Sequence, residues 1–385
     1  MDKLQEKAES PDRGLYLHVP FCARTCDFCP FYQEAPRKAD LLRYLEGMER
    51  SLLSAPCDPP AATAFWGGGT PGLLPLEALE RLGRAMLAAN GGQAPAEWTV
   101  EMAPATVQKD RLRLLRDLGV NRISMGVQTF QPAILEALGR IHSLKQVRRS
   151  IELLHHEGFR PFNLDLMFAV PGQTLGQWES DLAEALAAEP DHLSTYCLTF
   201  EEDTALWVRL QEGQVERRSL EEEAAFHETA EAVLGEGGFQ QYEISNYCRP
   251  GQACHHNINT WRMREWRGHG PSAASQWGGY RWSEPASLER WLARLESGSP
   301  PEERIRLDPA LLAQDCLVFG LRMNEGVDLE RLEQRFGPVL PGDWPVFRGR
   351  LVEEGLAEQA GPVIRLTGRG RLVADRIGAE ILALG

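Results

Sequence analysis

The sequence predicts an α/β protein of six consecutive βα units, followed by a small, mostly helical, winged-helix-like C-terminal domain. Three observations carry the prediction. Short apolar runs alternate with longer amphipathic stretches from about Leu15 to Leu234, the pattern of repeated βα units on a parallel sheet. Residues with chemistry to offer recur where the apolar runs end. The pattern then breaks near Gln241 and again at Pro300–Pro301. Six such units make either a partial (βα)6 TIM-like barrel or an open doubly wound sheet.

The first strand is read at about Leu15–Val19, followed by a cysteine-bearing loop and a helix near Ala39–Leu53. Thr63–Trp66 is the second strand, followed by GGGTPG and a helix at about Leu76–Ala89. Trp98–Met102 and a helix near Ala105–Leu118 form the third unit. Arg122–Val127 is the fourth strand, with helical segments near Pro132–Leu138 and Lys145–His155. Phe162–Phe168 precedes a helix near Leu175–Ala187, and His192–Leu198 precedes one at Leu220–Leu234. These elements define a first domain, residues 1–240. Residues 241–300 read as an irregular connecting segment rich in Gly, Trp and Arg, and 301–385 as the C-terminal domain.

The composition excludes several function classes. Hydrophobic residues make up 43% of the 385, enough for a sizeable core, and the formal charge of −14 opposes general affinity for nucleic acid or anionic membrane. The winged-helix-like segment itself has 11 basic against 14 acidic residues over 301–385, a poor footprint for DNA. No apolar run approaches the roughly 20 residues of a membrane span, and nothing marks a peripheral membrane contact. The first residues, MDKLQEKAESPD, lack the apolar stretch of a signal peptide. A cytoplasmic location follows as the expectation, one in which thiols stay reduced.

Chemistry concentrates in LYLHVPFCARTCDFCPFY, residues 15–32, where Cys22, Cys26 and Cys29 fall within eight residues. Three thiolates on one loop can each hold one iron of a [4Fe–4S] cube, leaving the fourth iron open to a small molecule. The same spacing suits zinc, with His18 as fourth ligand. A disulfide would leave one cysteine over. The other cysteines, Cys57, Cys197, Cys248, Cys254 and Cys316, are scattered and read mainly as small core residues. Polar residues at the other strand ends favour the cluster: Gly67–Thr70 after strand two, Glu101 closing strand three, Gln128 after strand four, Asp165 in strand five, Tyr196 near the end of strand six. A zinc-stapled loop gives no reason for that convergence. GGGTP has no following Lys-Ser/Thr and is not a phosphate-binding P-loop. Arg140 suits a carboxylate through paired hydrogen bonds, and acidic side chains suit ribose hydroxyls.

The Cys-x3-Cys-x2-Cys spacing, with an aromatic residue before the last cysteine, resembles the signature of the radical S-adenosylmethionine (SAM) superfamily. YLHVPFCARTCDFC, WGGGTP, EMAPATV, RISMGVQTF, LGRIHS and NLDLMFAVPGQT resemble, in order, the oxygen-independent coproporphyrinogen oxidase group of that superfamily. The resemblance implies a partial (βα)6 radical SAM barrel. It implies a [4Fe–4S] cluster on Cys22, Cys26 and Cys29, and SAM contacts from Tyr16, Phe28, Gly69, Thr70, Glu101, Gln128, Arg140 and Asp165. It also implies an electron donor of flavodoxin or ferredoxin type, with SAM cleaved to methionine and a 5′-deoxyadenosyl radical if the protein is catalytic.

Two departures select a branch. The true oxidases carry a further cysteine two residues after the third, where this chain has Phe31, and a longer segment ahead of the first strand. Both favour the heme chaperone family HemW, whose members are understood to bind heme and pass it to acceptor proteins. The family's heme-associated motif is His-Asn followed by Trp, usually with Tyr before the Trp. Here it reads His256-Asn257-Ile258-Asn259-Thr260-Trp261, with Thr260 in the Tyr position. The resemblance implies His256 as a heme ligand, with His255, Cys254 and Cys248 nearby as other candidates. Coproporphyrinogen decarboxylation and radical methyl transfer stand as the alternative activities.

Overall fold

The structure, a computed structural model, describes residues 13–384. The polar leader 1–12, read above as lacking a signal peptide, lies outside the described residues. The N-terminal part of the chain runs β1 (Gly14–Val19), α1 (Lys38–Ser54), β2 (Thr63–Gly68), α2 (Leu76–Ala89), β3 (Glu97–Met102), α3 (Lys109–Leu118), β4 (Arg122–Gln128), α4 (Pro132–Ala137), α5 (Leu144–His156), β5 (Phe162–Phe168), α6 (Leu175–Ala187), β6 (His192–Cys197), α7 (Ala205–Gln211) and α8 (Leu220–Glu236). Strands β1 to β6 are parallel and adjacent in sequence order. β1 and β6 do not pair with each other, so the barrel is partial.

Period-two alternation explains which side chains face where. Leu15, Leu17 and Val19, then Trp66, Trp98, Val100, Ile123, Met125, Leu164 and Leu166 are almost fully buried in the layer between sheet and helices. The intervening positions, Phe65, Thr99, Glu101, Arg122, Ser124, Asn163, Asp165, His192, Ser194 and Tyr196, line the hollow of the barrel. Each helix turns one apolar stripe to the strands, as α2 does with Leu79, Leu82 and Met86. Ser143 and Thr174 cap α5 and α6 through reciprocal bonds with Gln146 and Gln177, a contribution of about 1 kcal/mol each.

Residues 241–282 differ from the irregular stretch expected. They carry β7 (Gln240–Glu243), β8 (Asn246–Cys248), α9 (His255–Trp261), β9 (Trp266–His269), β10 (Ala274–Trp277) and β11 (Tyr280–Ser283). β8 and β7 extend the sheet beyond β6, and β9 pairs in parallel with β1. β10, β11 and, after α10 (Leu288–Ser297), β12 (Ile305–Arg306) continue that edge to give twelve strands. Strands of three or four residues are too short to display alternation, and their partners lie far away in sequence.

The C-terminal part comprises α11 (Pro309–Gly320), β13 (Val327–Asp328), α12 (Leu329–Phe336), α13 (Trp344–Glu353), β14 (Ala357–Ala360), β15 (Val363–Leu366), α14 (Gly368–Arg371) and α15 (Ala374–Leu382). Its helices enclose a second core around Leu317, Phe347, Leu351, Ile364 and Ile381, beside a small antiparallel sheet ordered β13-β15-β14. Among the described residues no helix is long and apolar enough to cross a membrane.

Candidate functional site

The cysteine loop leaves the carboxyl end of β1 and is tied down at several points. Glu34 O accepts from Cys22 N (3.0 Å), and Cys26 O from Cys29 N (3.2 Å). Asp27 N donates to Leu138 O (3.2 Å), Leu206 N donates to Asp27 O (2.7 Å), and the Asp27 carboxylate pairs with Arg209. All three thiols are free and partly exposed. Thr70 Oγ1 lies 3.7 Å from Cys22 Sγ, and Arg140 Nη1 donates to Cys26 Sγ at 3.2 Å. Burial pushes Cys22 up to about 11 and raises Cys29 as well. Neighbouring thiols add to this, while Arg140 opposes it. Without a metal Cys22 and Cys29 therefore hold their protons, and iron would supply the charge that keeps them ionised.

The donor set fits an iron–sulfur cluster better than zinc. His18, the fourth ligand a zinc site would require, has both ring nitrogens engaged, Nδ1 with Tyr16 Oη and Nε2 with Tyr32 O, each at 3.2 Å. Among the described residues no three His, Cys, Asp or Glu side chains close on one point as a single-ion site needs.

The GGGTP turn packs directly on this loop. Gly69 N donates to Val19 O and Thr70 N to Phe21 O, both at 2.8 Å. A Cβ on Gly69 would sit 2.8 Å from those same two carbonyl oxygens, so only glycine fits. Gly68 has φ +101°. The glycines thus let two strand ends approach each other closely.

Glu101 and Asp165 line a small cavity of about 40 Å³ inside the barrel. Burial, with Asp165 adding to it, pushes Glu101 up to about 8, and burial raises Asp165 to about 6. Asp165 accepts from Asn163 Nδ2 (2.8 Å) and Ser124 Oγ (3.2 Å). Tyr16 stacks on Phe65 at 6.5 Å, and burial beside Glu101 keeps its phenol protonated. Gln128 sits at φ 69°. The turn after it is held by buried Asp181, which accepts from Thr129 Oγ1 (2.6 Å), Phe130 N (2.8 Å) and Gln131 Nε2 (3.2 Å). Arg140 Nη2 donates to Gly126 O (2.7 Å) beside the Gln128 amide. The fold therefore gathers Tyr16, Gly69, Thr70, Glu101, Gln128, Arg140 and Asp165 around the cysteines. Phe28 instead packs against the apolar group of Leu138, Met167 and Leu198.

Sequence reading missed the floor of the cavity. Arg122, 2% exposed, lies there with Nη2 unpartnered. His192 bridges Asn163 (2.7 Å) and Tyr242 (2.9 Å), and Ser194 donates to Asn246 (2.7 Å). The signal was present: these residues share the inward register of Ser124 and Asp165.

His256 lies at the opposite end of the barrel from the cysteines, on α9, under the start of β2. It is 7% exposed, its Nδ1 is 3.0 Å from Thr63 Oγ1, and its ring stacks on Phe65 at 5.4 Å. Burial lowers its pKa to about 4. Glu97 accepts from the His255 and His256 amides (2.9 and 2.8 Å) and faces the buried Cys254 thiol. At the far end of α9, Trp261 packs on Phe319 (6.0 Å) under Arg322 (5.2 Å). The motif helix thus joins the barrel floor to α11.

Residues 16–185 match the radical SAM superfamily, and residues 307–373 match the HemN C-terminal domain. The heme chaperone HemW of Bacillus subtilis (strain 168) is 31% identical over 378 residues, covering 96% of this chain and 99% of that protein. HemW of Escherichia coli (strain K12) is 36% identical over 281 residues, 68% of this chain and 70% of that one. The solved coproporphyrinogen III oxidase (HemN) from Escherichia coli superposes with a TM-score of 0.84 at 23% identity, covering 97% of this chain and 91% of the other, a likeness of fold. With matching fold, order of motifs and near full-length similarity, this chain belongs to the HemW family within the radical SAM superfamily.

Proposed function

We propose that this chain is a heme chaperone that carries a [4Fe–4S] cluster and SAM and delivers heme to acceptor proteins in the cytoplasm. The observation that carries the reading is the meeting of three free thiols, the Arg140 guanidinium and the polar barrel face at one end of the strands. Family membership, among relatives named as heme chaperones, supports the heme part. Cys22, Cys26 and Cys29 would hold the cluster. When bound, that cluster supplies an electron to the SAM sulfonium. Arg140 offsets negative charge at Cys26. Thr70 presents a hydroxyl beside Cys22. Glu101 and Asp165, with Asn163 and Ser124 fixing the latter, offer acceptors to ribose hydroxyls. Gln128, set by the Asp181 turn, borders the same space.

Phe31 occupies the position of the oxidases' additional cysteine, which supports a chaperone over a decarboxylase. His256 becomes a heme contact in this reading only when α9 leaves the barrel floor, since its ring is enclosed between Thr63 and Phe65. The test is anaerobic reconstitution with iron and sulfide, followed by heme titration. A broad iron–sulfur absorbance and a saturable Soret band at about one heme per chain are expected. Protoporphyrinogen formed from coproporphyrinogen, SAM and reductant would replace the chaperone reading with the oxidase. A methylated product would replace it with a methyltransferase, and zinc without iron with a binding protein lacking radical chemistry.

A further inference from the structure

A file of buried polar groups runs from Asp165 through the barrel floor to the start of α9, and its hydrogen bonds admit one arrangement of protons. Buried Asn163 gives its Nδ2 to Asp165 Oδ1 and to Ser124 Oγ, each at 2.8 Å. An ionised carboxylate only accepts, so the amide must turn its nitrogen to Asp165 and its oxygen away, toward donors of its own. It meets two, Ser194 Oγ at 3.2 Å and His192 Nδ1 at 2.7 Å. Burial, with Arg122 adding to it, lowers His192 well below the ordinary histidine range, so the ring is neutral and carries one proton. That proton stands on Nδ1, facing Asn163, and Nε2 is left as an acceptor. Tyr242 Oη, 2.9 Å away, therefore donates to Nε2. The Tyr242 oxygen in turn takes the backbone N–H of Cys254, the N-cap residue of α9. Cys254 and Asn257 line the same cavity as His192 and Asp165.

We propose that His192 is a positioning residue with two arms: through Asn163 it aims the Asp165 carboxylate at the ribose of SAM, and through Tyr242 it ties that carboxylate to the first turn of α9. The proposal rests on the SAM-binding heme-chaperone reading above. A ligand that fixes the Asp165 carboxylate also fixes the Asn163 amide, the His192 tautomer and the Tyr242 hydroxyl, and with them the seat of α9. Because α9 carries His256, SAM and the heme-associated motif are linked through the floor of the barrel, although they stand at its opposite ends.

The test uses the full chain with its cluster reconstituted, SAM affinity by equilibrium dialysis, and amide hydrogen exchange across residues 254–261. In wild type, adding SAM should slow exchange there by about threefold or more. Tyr242→Phe cuts only the arm to α9: SAM affinity should stay at the wild-type value while the slowing disappears. His192→Ala should lose about fivefold or more in SAM affinity. His192→Asn, whose amide N–H can stand in for Nδ1–H, should restore the affinity without restoring the slowing. Loss of packing alone would not separate the two readouts in this way. Wild-type SAM affinity in His192→Ala, no rescue in His192→Asn, or slowing that persists in Tyr242→Phe overturns the proposal. Should the His192 variants fail to load iron, Tyr242→Phe decides by the same readout. Exchange across 254–261 that ignores SAM, in a wild type that binds SAM and heme, removes the link and leaves the chaperone reading intact. A wild type that binds no SAM removes both.

Discussion

Glu101→Gln separates charge from shape inside the barrel. Burial, with Asp165 as second contribution, moves the Glu101 carboxyl from 4.5 up to about 8, and a Gly68 backbone hydrogen bond only partly opposes this. At about 1.4 kcal/mol for each pH unit, the full displacement corresponds to roughly 5 kcal/mol. The side chain is partly open to solvent, so screening reduces the expected effect to about 2 kcal/mol. The sign follows from proton uptake. The unfolded carboxyl ionises near 4.5, while the folded one keeps its proton to about 8. The resulting stability is complete below pH 4.5 and is lost as pH rises to about 8. Glutamine has the same shape and no such loss. Urea unfolding of the SAM-free chain should therefore give equal stabilities for wild type and variant near pH 4.5, and a variant more stable by about 2 kcal/mol at about pH 8.5. A variant destabilised equally at both pH values would show that Glu101 is held by packing and bonds, and would refute the electrostatic account.

Gly69→Ala should push the GGGTP turn away from the Val19 and Phe21 carbonyls. The strain is about 1–3 kcal/mol, and reduced iron incorporation per chain is the readout. Arg209→Ala removes the ion pair that anchors Asp27 within the cysteine loop. Chelator-driven bleaching of the cluster should then accelerate by a few-fold, with thermal stability nearly unchanged; equal bleaching rates would show that the loop's backbone bonds suffice. Asp181→Ala leaves Thr129 Oγ1 and the Phe130 amide without their acceptor. Urea unfolding should report a loss of about 1–3 kcal/mol, and SAM affinity should fall with it because the Gln128 turn loosens.

What was legible in the sequence is what local pattern encodes. The cysteine spacing is a property of one loop, and the inward polar positions of β1 to β6 follow from a period of two within runs of six or seven residues. The turn glycines were visible too, although their reason was not: Gly69 is required by a contact with carbonyls nearly fifty residues earlier in the chain. Only the tertiary structure decided the rest, because it depends on pairings between distant segments. Strands β7 to β11 exist because β6 and β1 offer open edges, and three or four residues carry no period of their own. Arg140 reaches Cys26 across 114 residues. The ends of the barrel are assigned by strand direction, which puts the cysteines where β1 ends and His256 under the start of β2. The cysteine motif and the His256 motif therefore stand at opposite ends of the same parallel strands.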